Sequence, residues 1–236
     1  MRVRCYLSGN PVHDRAVRAF YDGCDAEKSL ASVNDYRPSD IAVVFGIYKS
    51  KVPISFPRGK IIQNQRGYGS DVIVLETGYL KRGDGPDDYY AAGYNGLNGR
   101  ADFHNNDSPP DRFEALGIEV KPWRDNGKHV VVCGQVPWDA SVDHLDYLGW
   151  RSQTLGRLTG NGHPVIYKEH PAMKPGCPPL TQYLDEAWAC VTLNSNSAVE
   201  AAIEGVPVFA ADCGSMAWPI ANQDLSKISS PEKPDR

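Results

Sequence analysis

The feature that most constrains the fold is a regular alternation of strand and helix patterns in the second half of the chain. The run HVVVCG (129–134) places β-branched residues side by side without polar interruption, which is typical of a buried strand. Three further strands are predicted at PVIYKEHP (164–171), WACVTLN (188–194) and PVFAAD (207–212). Helical patterns separate these runs, so the sequence predicts parallel strands joined by helical crossovers.

Three helices are predicted between these strands. The first covers 141–160, with Ser141 as its N-cap and an apolar stripe formed by Val142, Leu145, Leu148, Leu155 and Leu158. The second is short, at 178–187. The third, SNSAVEAAIEG (195–205), starts with a serine and stops at a glycine, which is the usual asymmetry of helix ends.

The first half shows the same pattern more loosely. Strands are predicted at VRCYLS (3–8), DIAVVFG (40–46) and DVIVLETG (71–78), with a helix over about 12–22. The stretch 79–110 has no regular pattern, and four tyrosines and a phenylalanine favour an ordered functional loop there.

The predicted fold is therefore α/β, with two Rossmann-like lobes, parallel sheets and a cleft between the lobes. The segment PWRDNGK (122–128) is interpreted as the linker, which gives an N-terminal lobe at 1–125 and a C-terminal lobe at 126–236.

The charge is low overall but uneven. The net charge of −4 lies in residues 126–236, which hold 8 basic and 12 acidic residues, whereas residues 1–125 hold 17 of each. One segment, 48–66, carries five basic residues and no acid. The chain is thus not a generally basic nucleic-acid binder, although this segment could contact phosphates or form a solvated loop.

Several features indicate a cytoplasmic protein. No apolar run approaches the roughly 20 residues of a membrane helix, and the start MRVRCYLSGN lacks the apolar core of a signal peptide. The six cysteines form no CxxC pair, so reduced, mostly buried thiols are expected.

Common catalytic motifs are missing from the sequence. There is no GxGxxG opening a first helix, no P-loop, no HExxH and no GxSxG elbow. Polar residues instead follow the predicted strands: Glu76, then Gln135 with Asp139, then His170, then Asn194 to Ser197. Each alone is explained by turn or capping chemistry, but carboxyl ends of parallel strands meet at one sheet edge, so together they indicate a site.

Four of these segments resemble capsule-polysaccharide glycosyltransferases of the Kdo-transferring type. GQVPWDAS (134–141), YKEHP (167–171) and LNSNSAVEAAIEGVPV (193–208) resemble the C-lobe motifs of that family, and LETGYLKRG (75–83) resembles an N-lobe motif. The region 75–103 is also similar to phage-encoded members of the group.

The resemblance implies a GT-B arrangement with a nucleotide-sugar donor on the C-lobe, an acceptor on the N-lobe, and neither metal nor cofactor. His170 would donate to the donor phosphate, Lys168 would add positive charge, and Glu200 would accept from ribose hydroxyls. Gln135, Asp139 and Ser141 would shape the base or sugar pocket. The helix start would offer free N–H groups and side chains to the same anion, from Asn194, Ser195, Asn196 and Ser197.

The chain departs from the family at the N-lobe motif, where an acidic pair is replaced by Glu76-Thr77. Glu76 is then the candidate base for the acceptor proton. The reserve acids are Asp84, Asp87, Asp88 and Asp102. The predicted acceptor-binding set is Lys49, Lys51, Arg58, Lys60, Arg66, Arg82, Arg100 and Asp102.

Several functions remain open at this point. The leading hypothesis is a glycosyltransferase whose acceptor is a hydroxymethylated pyrimidine in phage-type DNA. The phage-like N-lobe and the basic 48–66 segment favour this acceptor. The alternative is a capsule or lipopolysaccharide enzyme using a CMP-sugar. A non-catalytic nucleotide- or carbohydrate-binding protein is a hypothesis of another class, supported by the missing second acid. A nucleotide-sugar epimerase of GT-B architecture is a third.

Overall fold

The chain folds as two compact α/β units. The computed structural model describes residues 1–47, 56–80, 89–104, 107–160 and 162–235. The units are Met1–Ser108 and Pro109–Arg236, and each has its own sheet and hydrophobic core. Parallel strands dominate both sheets, so the predicted α/β class is confirmed.

The sheet of the first unit has five strands. In chain order they are β1 (Arg2–Leu7), β2 (Glu27–Ser32), β3 (Ile41–Phe45), β4 (Asp71–Thr77) and β5 (Tyr90–Tyr94). Their spatial order is β2-β1-β3-β4-β5, with parallel pairing everywhere except between β4 and β5. Because β5 runs antiparallel, this sheet is mixed rather than purely parallel as predicted.

Two helices flank this sheet. Helix α1 (Pro11–Gly23) begins where Asn10 accepts hydrogen bonds from the N–H groups of Val12 and His13, and Ala16 and Val17 are buried. Helix α2 (Pro57–Gly67) overlaps the basic 48–66 segment and buries Ile61 and Ile62 against the opposite face of the sheet. Part of that segment is therefore an element of the core.

The sheet of the second unit is wholly parallel. Its strands are β6 (His129–Cys133), β7 (Val165–Lys168), β8 (Ala187–Thr192) and β9 (Val208–Ala210), in the spatial order β7-β6-β8-β9. The helices are α3 (Asp111–Glu114), α4 (Tyr147–Leu158), α5 (Leu180–Leu184) and α6 (Ser197–Ile203). The four strands and three helices predicted for this half are confirmed, with shorter bounds.

The predicted N-cap of the first helix in this half is wrong. Helix α4 begins at Tyr147, and Asp146 caps it by accepting from the N–H of Gly149 at 3.0 Å. Ser141 belongs instead to a preceding turn, where Asp139 Oδ1 accepts from both its N–H (2.9 Å) and its hydroxyl (2.8 Å). The aspartate side chains compete successfully for these turn donors, and the helix starts six residues later.

The predicted linker packs on the second unit. The N–H of Lys121 donates to the carbonyl of Ile203 and the N–H of Arg124 to that of Gly205, both at 2.8 Å. The Arg124 guanidinium also donates to the carbonyl of Leu184 at 2.6 Å. Residues 109–125 therefore group with the second unit, and the boundary at 125/126 stays a prediction as a functional division.

The cysteines are free thiols, as predicted. Cys5, Cys133 and Cys190 are buried, Cys24 and Cys177 are half-buried, and Cys213 is exposed. Within the described ranges, none of the helices combines the length and the apolar character needed to cross a bilayer. The cytoplasmic location stays a prediction.

Gly205 is predicted to be irreplaceable for stability. Its φ of +77° disfavours other residues, and an added Cβ would lie 2.2 Å from the carbonyl oxygen of Pro122. Gly205→Ala should lower the free energy of unfolding by about 2 kcal/mol or more. Gly156→Ala on α4 is the control, because a Cβ there meets nothing within 4 Å and should stabilise by about 0.5–1 kcal/mol. Equal denaturant midpoints for the two variants would contradict this.

Candidate functional site

Each sheet has a point where the strand order reverses, and polar side chains gather at both points. In the second unit this point lies between β6 and β8, and in the first unit between β1 and β3. Open α/β sheets bind ligands at the carboxyl ends of the strands beside such a reversal. The two groups of residues are called here the β6–β8 site and the β1–β3 site.

The β6–β8 site rests on an amide pair. The Gln135 amide donates to Asn194 Oδ1 at 2.7 Å, and the Asn194 N–H donates back to Gln135 Oε1 at 3.1 Å. The Asn194 amide further donates to Asp212 Oδ1 at 2.7 Å and to the carbonyl of Ser141 at 3.0 Å. Gln135 and Asn194 are only 7% and 4% exposed, so this pair rigidly joins the ends of β6 and β8.

Two tyrosines extend the network to β7. The N–H of Gln135 donates to the hydroxyl of Tyr147 at 2.8 Å, which is 3.0 Å from the hydroxyl of Tyr167. Burial raises the pKa of Tyr167, so its hydroxyl stays neutral. A Cβ on Gly134 would lie 2.6 Å from that hydroxyl, so only glycine fits after β6. Sequence reasoning missed both tyrosines, because each pattern is also that of a core aromatic.

Lys168, the last residue of β7, is a buried cation. The residue is only 8% exposed. Its Nζ donates to the carbonyl of Glu169 at 3.2 Å and lies 5.7 Å from the ring centroid of Tyr183. In the part of the chain that the structure describes, no carboxylate oxygen forms an ion pair with it. A buried ammonium without a counter-charge favours the binding of an anion.

His170 follows Lys168 in a tight turn. Its carbonyl accepts from the N–H groups of Met173 (2.8 Å) and Lys174 (3.0 Å). Its ring Nδ1 accepts from the N–H of Ala172 at 3.1 Å, so a neutral ring carries its proton on Nε2. The half-buried imidazole is thus oriented as a hydrogen-bond donor through Nε2.

The helix start at 194–197 differs from the prediction. The N–H of Asn194 donates to Gln135, that of Ser195 to the hydroxyl of Thr192 at 3.0 Å, and that of Ser197 to the hydroxyl of Ser195 at 3.2 Å. These three N–H groups are used within the fold, and α6 is only seven residues long. The expected cradle of free N–H groups therefore does not form there, and ligand contacts by the Ser195, Asn196 and Ser197 side chains stay predictions.

The remaining predicted donor residues lie around the same sheet edge. Asp139 is exposed and holds the turn with Ser141 described above, while Glu200 is half-buried in the first turn of α6. The thiols of Cys133 and Cys190 lie 3.6 Å apart. The charges of Lys168 and Glu200 act on the pKa of both thiols, the first lowering it and the second raising it. The ligand roles of Asp139, Ser141 and Glu200 stay predictions.

The β1–β3 site contains Glu76, Arg58, Gly46 and His13. Arg58 Nη1 donates to the carbonyl of Phe45 at 2.5 Å, and burial lowers the Arg58 pKa while the charge of Glu76 opposes that shift. The His13 ring stacks on Phe45, with centroids 4.4 Å apart and planes 12° apart. The candidate base therefore has a cationic neighbour and a nearby imidazole that sequence reasoning missed. The only signal for His13 was its position in the first turn after a predicted strand.

The predicted acceptor-binding set divides into several groups. Arg58 is half-buried and bonded as above, and Arg66 Nη2 donates to the carbonyl of Asn95 at 2.6 Å. Lys60, Arg100 and Asp102 are exposed. Lys49, Lys51 and Arg82 lie outside the described residues, as do the reserve acids Asp84, Asp87 and Asp88. Arg58 and Arg66 are thus structural contacts of the first unit as well as surface charges.

Within the described ranges, no group of three or more His, Cys, Asp or Glu residues is arranged so that it could hold a metal ion. The expectation of a reaction without metal or cofactor stays a prediction.

The fold matches that of bacterial sugar transferases. The beta Kdo 2,4 transferase of Thermosulfurimonas dismutans KpsC superimposes with a TM-score of 0.57 at 16% identity, covering 97% of this chain and 89% of that one. The beta Kdo 2,7 transferase of the same KpsC gives 0.54 at 19% identity, covering 89% and 78%. No protein-family model and no curated protein sequence matches. At these identities the likeness establishes the fold alone.

Asn194→Ala should destabilise the second unit. It leaves the buried Gln135 side chain and the Asp212 carboxylate without the partner described above, which should cost about 2 kcal/mol or more. Asn64→Ala at an exposed position of α2 is the control and should change stability by about 0.5 kcal/mol or less. Chemical denaturation of both variants checks this, and an unaffected Asn194→Ala midpoint would argue against a tight network.

His13 should make stability depend on pH. Burial first, and then the Arg58 charge, lower the His13 pKa, with Asp14 opposing. The unfolded chain therefore takes up the proton first, and this contribution to stability, present above about pH 6.5, is lost as the pH falls. His13→Phe keeps a ring on Phe45 and removes the titration, so its melting temperature should fall less than wild type between about pH 7.5 and 5.5. Parallel curves for the two proteins would contradict this.

Proposed function

We propose that the protein is a glycosyltransferase that moves a sugar from a nucleotide-sugar donor to a hydroxyl acceptor. The observation that carries the proposal is the buried Lys168 ammonium, which forms no ion pair within the described residues, beside the oriented His170 imidazole at the end of β7. One supplies a positive charge and the other an N–H donor. Both features suit a phosphate group, the leaving group of a nucleotide sugar.

The rest of the β6–β8 site suits the other parts of such a donor. Strand β7 ends two strand spacings, about 10 Å, from β8, which is comparable to the span of a nucleotide. The rigid Gln135–Asn194 pair and the exposed Asp139 lie toward the base or sugar, and Glu200 toward ribose hydroxyls. The structural neighbours are named Kdo transferases, which supports a CMP-linked acidic sugar as the leading donor.

The net reaction requires a proton acceptor. The anomeric carbon exchanges its bond to the phosphate for a bond to the acceptor oxygen, the phosphate keeps the electron pair, and the acceptor hydroxyl loses its proton. Glu76 is the proposed base, because it is a carboxylate at the end of β4 in the β1–β3 site, next to Arg58. One carboxylate is sufficient for this role, so the missing second acid does not exclude catalysis.

A glycan hydroxyl now replaces hydroxymethylated DNA as the proposed acceptor. Two of the basic residues expected to contact DNA phosphates, Arg58 and Arg66, bind backbone carbonyls. DNA binding requires several free positive charges, and the second unit is acidic. DNA is kept as an arm of the acceptor test.

Nucleotide binding should depend on Lys168. Lys168→Met keeps the length and apolar stem of the side chain and removes its charge, so the Kd for CMP measured by calorimetry should rise about tenfold or more. Lys174→Met, on the exposed loop that follows, is the matched control and should bind like wild type. UDP and GDP in parallel identify the base. If wild type binds no nucleotide, or if Lys168→Met binds equally well, the donor site is not here.

Transfer then separates an enzyme from a binding protein. With the nucleotide identified, Glu76→Gln should keep donor binding and lose transfer to a glycan acceptor by at least about a hundredfold. Hydroxymethylated DNA offered instead should give no product. Donor binding without transfer to any acceptor by wild type would favour the non-catalytic hypothesis, and conversion of the donor without an acceptor would indicate an epimerase.

A further inference from the structure

We propose that the β1–β3 site binds a hydroxyl-bearing sugar and that His13 is one of the side chains that hydrogen-bonds it. The identification of this sugar as the acceptor rests on the proposed function, but the binding itself does not. The sequence predicted an acceptor-binding set that includes Arg58, with Glu76 as the base, and the structure adds His13 to these two residues.

The site lies at the reversal of strand order in the first unit. His13 comes from the first turn of α1, directly after β1, and Gly46 directly follows β3. The Gly46 N–H donates to the carbonyl of Leu75 at 2.7 Å, which ties it to the end of β4, where Glu76 follows. Three strand ends therefore contribute to one short stretch of sheet edge.

Gly46 has no side chain, which allows the two charged side chains to approach the backbone closely. A Cβ at this position would lie 3.1 Å from Arg58 Nη1 and 3.8 Å from Glu76 Oε2, so both groups surround the same point. The φ of +65° also selects glycine there. The backbone at the end of β3 thus lies close to a donor side chain, Arg58, and to an acceptor side chain, Glu76.

His13 completes the wall of the site. Its ring is fixed by the stack on Phe45 and by the helix start, where Asn10 accepts from the His13 N–H at 3.3 Å. Within the described part of the chain, neither ring nitrogen has a hydrogen-bond partner. A half-buried imidazole held by its face in this way presents two polar ring atoms for a ligand.

The charges around His13 indicate a neutral, hydroxyl-rich ligand. Arg58 of α2 and Asp14 of its own helix act on it directly, and Asp14 is held by the N–H groups of Ser8 and Gly9. Glu76 of β4 lies next to Arg58. Tyr90 of β5 packs edge-on against the other aromatic partner, Phe45. One cation beside carboxylates does not favour a polyphosphate. A sugar, whose hydroxyls each donate and accept, matches a carboxylate, a guanidinium and a neutral imidazole.

Histidine-labelled protein allows a direct test by NMR without the nucleotide. We expect the six histidines to give separate signals in a proton–carbon spectrum, in which the His13 signal is assigned by its loss in His13→Phe. His163, stacked on Trp188 with centroids 5.1 Å apart, is the internal control in the second unit. The probes are two neutral sugars, methyl α-mannoside and methyl β-galactoside, and an oligonucleotide containing 5-hydroxymethylcytosine.

A sugar probe should move the His13 signal and leave that of His163 in place, and Glu76→Gln should weaken this binding about tenfold. Gly46→Ala, whose Cβ would crowd Arg58 Nη1 at 3.1 Å, should abolish it, and Glu76→Gln keeps the test valid if Gly46→Ala does not fold. The proposal is overturned if no sugar moves the His13 signal or if only the oligonucleotide does. Failure of CMP to bind wild type contradicts the donor site instead, so the two claims fail separately.

In the transfer assay, the same proposal predicts that His13→Phe raises the acceptor KM about tenfold and leaves the donor KM unchanged. A variant with both values at the wild-type level would contradict a role in acceptor binding. Since the ring stack on Phe45 is kept, a purely structural role of His13 would alter neither value.

Discussion

The second unit depends on one interaction, the reciprocal hydrogen bonds between the side chain of Gln135 and Asn194. Each residue lies two positions after the end of a central strand, and both are almost fully buried. A buried amide has a high desolvation cost unless its donors and acceptors are matched, so the pair fixes the ends of β6 and β8 relative to each other. Asp212, Ser141 and Tyr147 attach to the same pair, and through Tyr147 the position of Tyr167 on β7 is fixed as well. Lys168 follows Tyr167 directly and His170 lies two residues further on, so the amide pair also helps to fix the position of the proposed phosphate site.

The two units share a device at their sheet edges. In each, a glycine follows a central strand next to the reversal of strand order, Gly46 after β3 and Gly134 after β6. At Gly134 the space is filled by the Tyr167 hydroxyl, which completes a network within the protein. At Gly46 the space lies between Arg58 and Glu76. In one unit the glycine allows a tyrosine to pack against the strand end. In the other it allows two charged side chains to approach, and we propose that these bind a ligand.

Sequence patterns predicted the second unit well because three of its strands, β6, β8 and β9, are almost fully buried and its helices have clear stop signals. The meeting of Gln135 and Asn194 was also predictable, since carboxyl ends of neighbouring parallel strands share one edge.

Other features could not be predicted from the sequence, for physical reasons. Strand β2, EKSLAS, is a half-buried edge strand without alternation, and β5, YAAGY, has a glycine and two alanines in place of large apolar residues. The stack of His13 on Phe45 is a tertiary contact between residues 32 positions apart, which no local pattern encodes. The free N–H groups expected at 194–197 failed because nearby side chains, Thr192 and Ser195, accept from them.

The central claim is that a donor phosphate binds at the end of β7. A crystal structure of the protein with CMP tests it most directly. We expect a phosphate oxygen within about 3 Å of both Lys168 Nζ and His170 Nε2, with the Gln135–Asn194 pair unchanged. A phosphate bound elsewhere, with Lys168 still bonded only to the carbonyl of Glu169, would contradict the account.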